Sequence, residues 1–176
     1  MSNFVNIKKS QKIYADDGGE LLRYSLLYPF FSEDTKGIKK INEFYGTIAE
    51  KCERFCNGEL RSFCERRRSD ESIYTPLFYK LECTVVFDSE ECVSIMIHAA
   101  QKKLGASSVI GEYSTVHTFS KQDGLMMTQA QIIKKYMPEI KNPKKYIKNA
   151  NGAIIYPSVN GTVHFTKAER FLTDNI

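Results

Sequence analysis

The sequence is short of the features that usually declare an activity. No run approaches the roughly 18 consecutive apolar residues of a membrane span. The start, Met1-Ser2-Asn3-Phe4-Val5-Asn6-Ile7-Lys8-Lys9, lacks the apolar stretch of a secretory signal. As written, the chain is expected to stay in the cytoplasm. There is no Cys-x-x-Cys pair, and only three histidines, His98, His117 and His164, are available to complete a metal site. Gly18-Gly19 lacks the spacing and the lysine of a phosphate loop, which removes the warrant for a nucleotide site. No serine or cysteine near the histidines stands in a nucleophile-elbow context. Repeats, low-complexity tracts and dividing linkers are absent as well. The 25 basic and 21 acidic residues leave +4, far from the balance of a dedicated nucleic-acid binder.

What is present suits one domain. The chain has 176 residues, 42% of them hydrophobic and 26% charged. A chain of this length buries roughly two-thirds of its unfolded surface, so neither disulfides nor a structural metal is required. Leu21 to Phe31 is rich in aliphatic and aromatic residues and follows Gly18-Gly19, which predicts a strand ending near Pro29 or running along an edge there. From Lys36 the period changes. Ile38, Ile41, Tyr45, Ile48, Cys52, Phe55 or Cys56, Glu59 and Phe63 recur every three or four residues and line one helical face. Ile38, Ile41, Ile48, Cys52 and Phe55 are expected to be buried. The predicted helix is about thirty residues, roughly 45 Å long. Gly46 and Gly58 each weaken it by about 1 kcal/mol relative to Ala, and Gly58 after Asn57 could instead break it before Arg66-Arg67-Arg68.

Three strands follow, over 73–87, 91–99 and 109–119, joined by links short enough for antiparallel pairing. Lys121-Gln122-Asp123-Gly124 reads as a turn, and Thr128 as the cap of a helix from Gln129 to Tyr136 that Pro138 stops. A lysine-rich connection, a short apolar run from Ala153 to Tyr156, and a short helix capped by Thr166 and running through Phe171-Leu172 complete the chain. The fold class is α+β: an antiparallel sheet with one long helix packed across it and short C-terminal helices.

The order of these segments carries a resemblance. It comprises Tyr28-Pro29 at a strand end, Ile41-Asn42 at the start of the long helix, three strands, and the phrase Phe119-Ser120-Lys121-Gln122-Asp123-Gly124 leading into a small helix. It resembles the uncharacterised domain family found at the extracellular end of the anti-sigma factor RsiV and before the catalytic domain of the peptidoglycan deacetylase PdaC. The likeness runs over roughly residues 20–172, within a single domain of 1–176. Ser120 stands where the family carries an aspartate, and the helix-capping aspartate is displaced. The resemblance implies a long helix on an antiparallel sheet and a binding or sensing role, with no catalytic residue established for the domain. Residues 1–176 are not expected to include a sigma-binding segment, membrane helix or deacetylase domain, so neither named function transfers whole.

Cys52, Cys56, Cys64, Cys83 and Cys92 could bind metal or work in redox chemistry, but Cys52 and Cys56 occupy the apolar stripe, where free cysteine acts as a small hydrophobe. A Cys–His enzyme would need Cys83 or Cys92 to meet His98 and a carboxylate. Asp16-Asp17 and Glu90-Glu91 flank turns, where charge usually means solvation. Lys134, Lys135, Lys141, Lys144, Lys145 and Lys148 interleave with Tyr136 and Tyr146, as in single-strand binders. Lysine-rich loops are also ordinary solvated surface. The expectation is a non-catalytic binding or sensing domain for a protein or small ligand, with no metal and no cofactor. A Cys/His-dependent enzyme and a weak nucleic-acid binder acting through the Lys134–Lys148 loop are the alternatives.

Overall fold

The computed structural model describes residues 3–159, 161–165 and 168–170. Its first strand, β1 (Phe4–Tyr14), has no counterpart in the sequence pattern, because it lies at a sheet edge and buries only Ile13. A turn with Gly18 at φ 83° leads to β2 (Glu20–Phe31). Thr35 then caps α1 (Lys36–Phe55), its hydroxyl accepting the Ile38 N–H at 3.2 Å. The helix does not break at Gly58. It widens into a single π turn (Cys56–Leu60) and continues as α2 (Arg61–Asp70).

That wide turn corrects the expected stripe. Ile38, Ile41, Tyr45, Ala49 and Cys56 are buried, followed by Leu60 and Cys64 where Glu59 and Phe63 were expected. A π turn adds about one residue, which moves the core-facing positions one place along. Ile48 and Cys52 are only partly buried, and Phe55 is exposed, because Cys56 takes the inward place.

β3 (Leu77–Asp88), β4 (Cys92–Lys103) and β5 (Gly111–Ser120) complete the main sheet with β8 (Ala168–Arg170), in the order β1-β2-β3-β4-β5-β8. Every adjacent pair is antiparallel except β2 and β3, which run parallel from Leu22↔Leu77 to Leu27↔Glu82 because the helix carries the chain back across the sheet. Pro29 lies beyond that seam and faces only β1, at Asn6, so β2 continues past it without losing a hydrogen bond to β3. The α+β class is as expected, with this parallel seam as the addition.

Alternation along β4 divides two cores. Val93, Ile95, Ile97 and Ala99 join the main core under α1, with Tyr45, Leu26, Leu81 and Phe119. Cys92 and Ser94 point to the other face, which is covered by α3 (Gln129–Tyr136) and β6 (Ile154–Ser158), and Ile132, Ile133 and Ile155 are buried there. Thr128 caps α3 through a capping box with Gln131. The lysine-rich connection holds a further helix, α4 (Pro143–Asn149), started by Asn142 with proline in its first turn. β6 pairs with β7 (Gly161–Phe165) as a separate two-stranded sheet. Ala168–Arg170 form a strand rather than the expected C-terminal helix, whose Thr166, Phe171 and Leu172 lie outside the described residues. No described helix is long and apolar enough to cross a membrane.

Candidate functional site

The start of α1, the end of β2 and the turn after β5 meet at one joint. The Asn42 carboxamide hydrogen-bonds both backbone groups of Phe31: its Oδ1 accepts the N–H and its Nδ2 donates to the C=O, each at 2.9 Å. This pins α1 to the end of β2. Gly37 lies so close to the turn after β5 that a β-carbon there would sit 2.0 Å from the Lys121 carbonyl oxygen. Gly124, at φ +70°, closes against Gly37 from the other side. Lys40 donates from Nζ to the Asp123 carbonyl at 3.0 Å. The Leu125 N–H, then the Ser120 hydroxyl, hold the Asp123 carboxyl below its usual range.

The same turn is tied to the β3–β4 hairpin. Lys121 donates its backbone N–H to Glu91 at 2.9 Å, and its ammonium binds Asp88 and the Ser89 carbonyl in a nearly buried cluster. Between these segments and α3 opens a cleft of about 660 Å³. Glu33 and Thr35 line it from the link before α1, Glu90 and Glu91 from the hairpin, Lys121 to Asp123 from the turn, and Met127, Gln131 and Lys135 from the α3 side. Lys121 is held by Asp88, and Lys135 pairs with Glu91. Glu33 accepts the Asn3 N–H through Oε1, while its enclosed Oε2 has no hydrogen-bond partner. Glu90 and Glu91 are therefore cleft residues as well as turn residues. Sequence spacing does not group these side chains, because three stretches distant in the chain, 33–38, 90–91 and 120–135, supply them.

The cysteines and histidines lie elsewhere and apart. Cys83 faces the main core, whereas His98 is on the other face of the sheet. Burial pushes the Cys83 thiol up to about 12. Cys92 shares a face with His98 but stands six positions along β4, roughly 20 Å at about 3.3 Å per residue. Its sulfur is 3.0 Å from the Tyr136 hydroxyl, and His98 Nδ1 is 2.8 Å from the Ser114 hydroxyl. The Cys–His constellation is not assembled from these residues. His117 packs edge-on against Phe44 and Phe119, and His164 Nε2 meets the Tyr146 hydroxyl at 2.9 Å. Burial also raises Cys52, Cys56 and Cys64, none of which is in a disulfide. Among the described residues no group of three or more His, Cys, Asp or Glu is arranged to hold a metal ion.

Lys134, Lys141, Lys144, Lys145 and Lys148 are exposed. Their aromatic neighbours are half-buried: Tyr136 meets Phe87 edge-to-face with ring centroids 5.9 Å apart, and Tyr146 meets His164 edge-to-face. A second cleft of about 520 Å³ between the β1–β2 turn and α2 is bridged by Arg68, whose two guanidinium nitrogens donate to Asp17 at 2.6 and 2.7 Å.

No family model matches the sequence, and no curated protein matches it. Solved structures do resemble the fold. A member of the DUF3298 family from Bacteroides fragilis is 9% identical with a TM-score of 0.50, over 96% of this chain and 90% of that one. A DUF3298 family protein from Pseudomonas aeruginosa is 7% identical with a TM-score of 0.50, over the same shares. At such identities the similarity is one of fold, to a domain family that is itself uncharacterised.

Proposed function

We propose that the chain is a non-catalytic binding or sensing domain whose cleft between the start of α1, the β3–β4 hairpin and α3 engages a small ligand or a segment of a protein. The observation that carries this reading is the composition of the cleft. Carboxylates, two lysine ammoniums, amides and hydroxyls wall it together with Ile38 and Met127, and no thiol or imidazole is among them. A concave site with a few convergent polar groups is the usual form of a ligand pocket. The likeness to the RsiV and PdaC domains belongs to the same reading, supported by the placement of Asn42 and Gly124 around this joint. A cytoplasmic setting is part of it too, supported by five cysteines without a disulfide.

Thermal shift tests the reading, with muropeptides, lysozyme-like proteins and nucleotides as probes. A ligand that binds only the folded state raises Tm with concentration, and Gln131→Ala together with Glu33→Gln should remove that rise. A probe turned over by the wild type, and slowed about a hundredfold by Cys83→Ala, Cys92→Ala or His98→Ala with the fold intact, would replace this reading by the enzyme.

A further inference from the structure

We propose that the outer edge of β1 takes an extended acidic segment of another protein as an added strand, at a surface distinct from the cleft. β1 is the first strand in the sheet order and pairs with β2 along all 11 of its residues, from Phe4↔Phe31 to Tyr14↔Glu20. Among the described residues no strand pairs with its other side. An antiparallel edge strand leaves alternate N–H and C=O groups there open to a further chain. Its register is even until a shift between Ile13 and Tyr14, so it offers a long, regularly paired template.

Side chains select the occupant. β1 carries Lys8, Lys9 and Lys12 and no acid. Lys9 reaches back over the helix side to Glu53 at 3.0 Å. Lys8 and Lys12, of the opposite parity, lie on the other face and are exposed, with no ion pair among the described residues. Val5 and Phe30 face one another in register and are 58% and 44% exposed, adding apolar surface near one end on the parity of Ile7 and Ile13. An added strand that alternates acidic with apolar residues would set carboxylates opposite Lys8 and Lys12 and its apolar side chains beside Val5 and Ile7. A second copy of this chain is disfavoured, because antiparallel β1 strands would bring their lysine-bearing runs together and like charges across a pair destabilise it. The strand therefore rejects its own kind and accepts its charge complement, in the mode by which sheets capture extended peptides.

The test uses a labelled eight-residue peptide of alternating Glu and Val, followed by fluorescence anisotropy. Binding is expected, with slowed hydrogen exchange confined to β1 amides. It should weaken at least tenfold in Lys8→Glu/Lys12→Glu, persist in Lys8→Arg/Lys12→Arg, and be abolished by N-methylating alternate peptide amides. Both lysines are exposed, so an unchanged denaturant midpoint will show that the charge-reversed variant is folded. No binding, equal binding of a Lys–Val peptide, or protection away from β1 would overturn the proposal. Gln131→Ala should leave peptide binding unchanged, which separates this edge from the cleft.

Discussion

Asn42 does at the scale of one side chain what a turn does for a backbone: it saturates both polar groups of Phe31 and fixes where α1 starts relative to β2. Asn42→Leu would leave that N–H and C=O without partners in a half-buried place. Its expected cost is about 1–3 kcal/mol by urea unfolding. Asn42→Asp keeps the acceptor for the N–H but sets a carboxylate oxygen against the Phe31 C=O, and should destabilise as well. The thiols make a second prediction. Burial raises Cys52, Cys56, Cys64 and Cys83, so little thiolate is present at neutral pH, and thiolate is the species that reacts. All five cysteines should react slowly with a disulfide reagent at pH near 7 and quickly once denaturant opens the fold. Cys52, the one that is partly exposed, should react first. Full reaction at the rate of a free thiol would contradict the burial seen here.

Within α1 two glycines should respond to alanine in opposite directions. Gly37→Ala drives a β-carbon into the Lys121 carbonyl and must separate the helix from the turn, at about 1–3 kcal/mol. Gly46 has open space around its missing side chain, so Gly46→Ala should stabilise by up to about 1 kcal/mol through helix propensity. Denaturant midpoints decide both. The elements differ in how well the sequence discloses them. The stripe from Ile38 to Tyr45 is legible because its period matches the helix. Beyond Cys56 the period fails, since a π turn has no signature that separates it from the break Gly58 suggested. β1 is illegible for a physical reason: a strand with one buried residue has no apolar alternation to display. The Asn142-Pro143 start of α4 is in the sequence, but the surrounding lysines give that helix no apolar face, and none of its residues is buried. The cleft is legible in its parts alone, Glu90-Glu91 and Lys121 to Gly124. Their meeting depends on the crossing of α1 over the sheet.

Over the whole molecule, the titrating groups define a pH window. Asp17 and Asp123 are held below 3.8, Asp17 chiefly by the Arg68 hydrogen bonds, so their contribution is present above 3.8 and lost as pH falls through the folded values. The thiols of Cys52, Cys56, Cys64 and Cys83 are held above 9.0, so their contribution is present below 9.0 and lost as pH rises. Tm should therefore form a plateau between these limits. Cys83→Ala should flatten the alkaline limb, and Asp17→Asn should flatten the acid limb only slightly, because Asp17 is exposed to solvent. The parallel seam between β2 and β3 bears on how the molecule assembles. β1–β2 and β3–β4–β5 each close by local loops, whereas the seam joins residues separated by the whole long helix. Loop-closure entropy orders these events, local before distant. The two strand groups should form early and dock late, so Leu26→Ala and Leu81→Ala, across the seam from one another, should speed unfolding and barely slow folding in stopped-flow experiments. The sheet is then continuous in space but built in two instalments, with its kinetic weak line through the middle rather than at an edge.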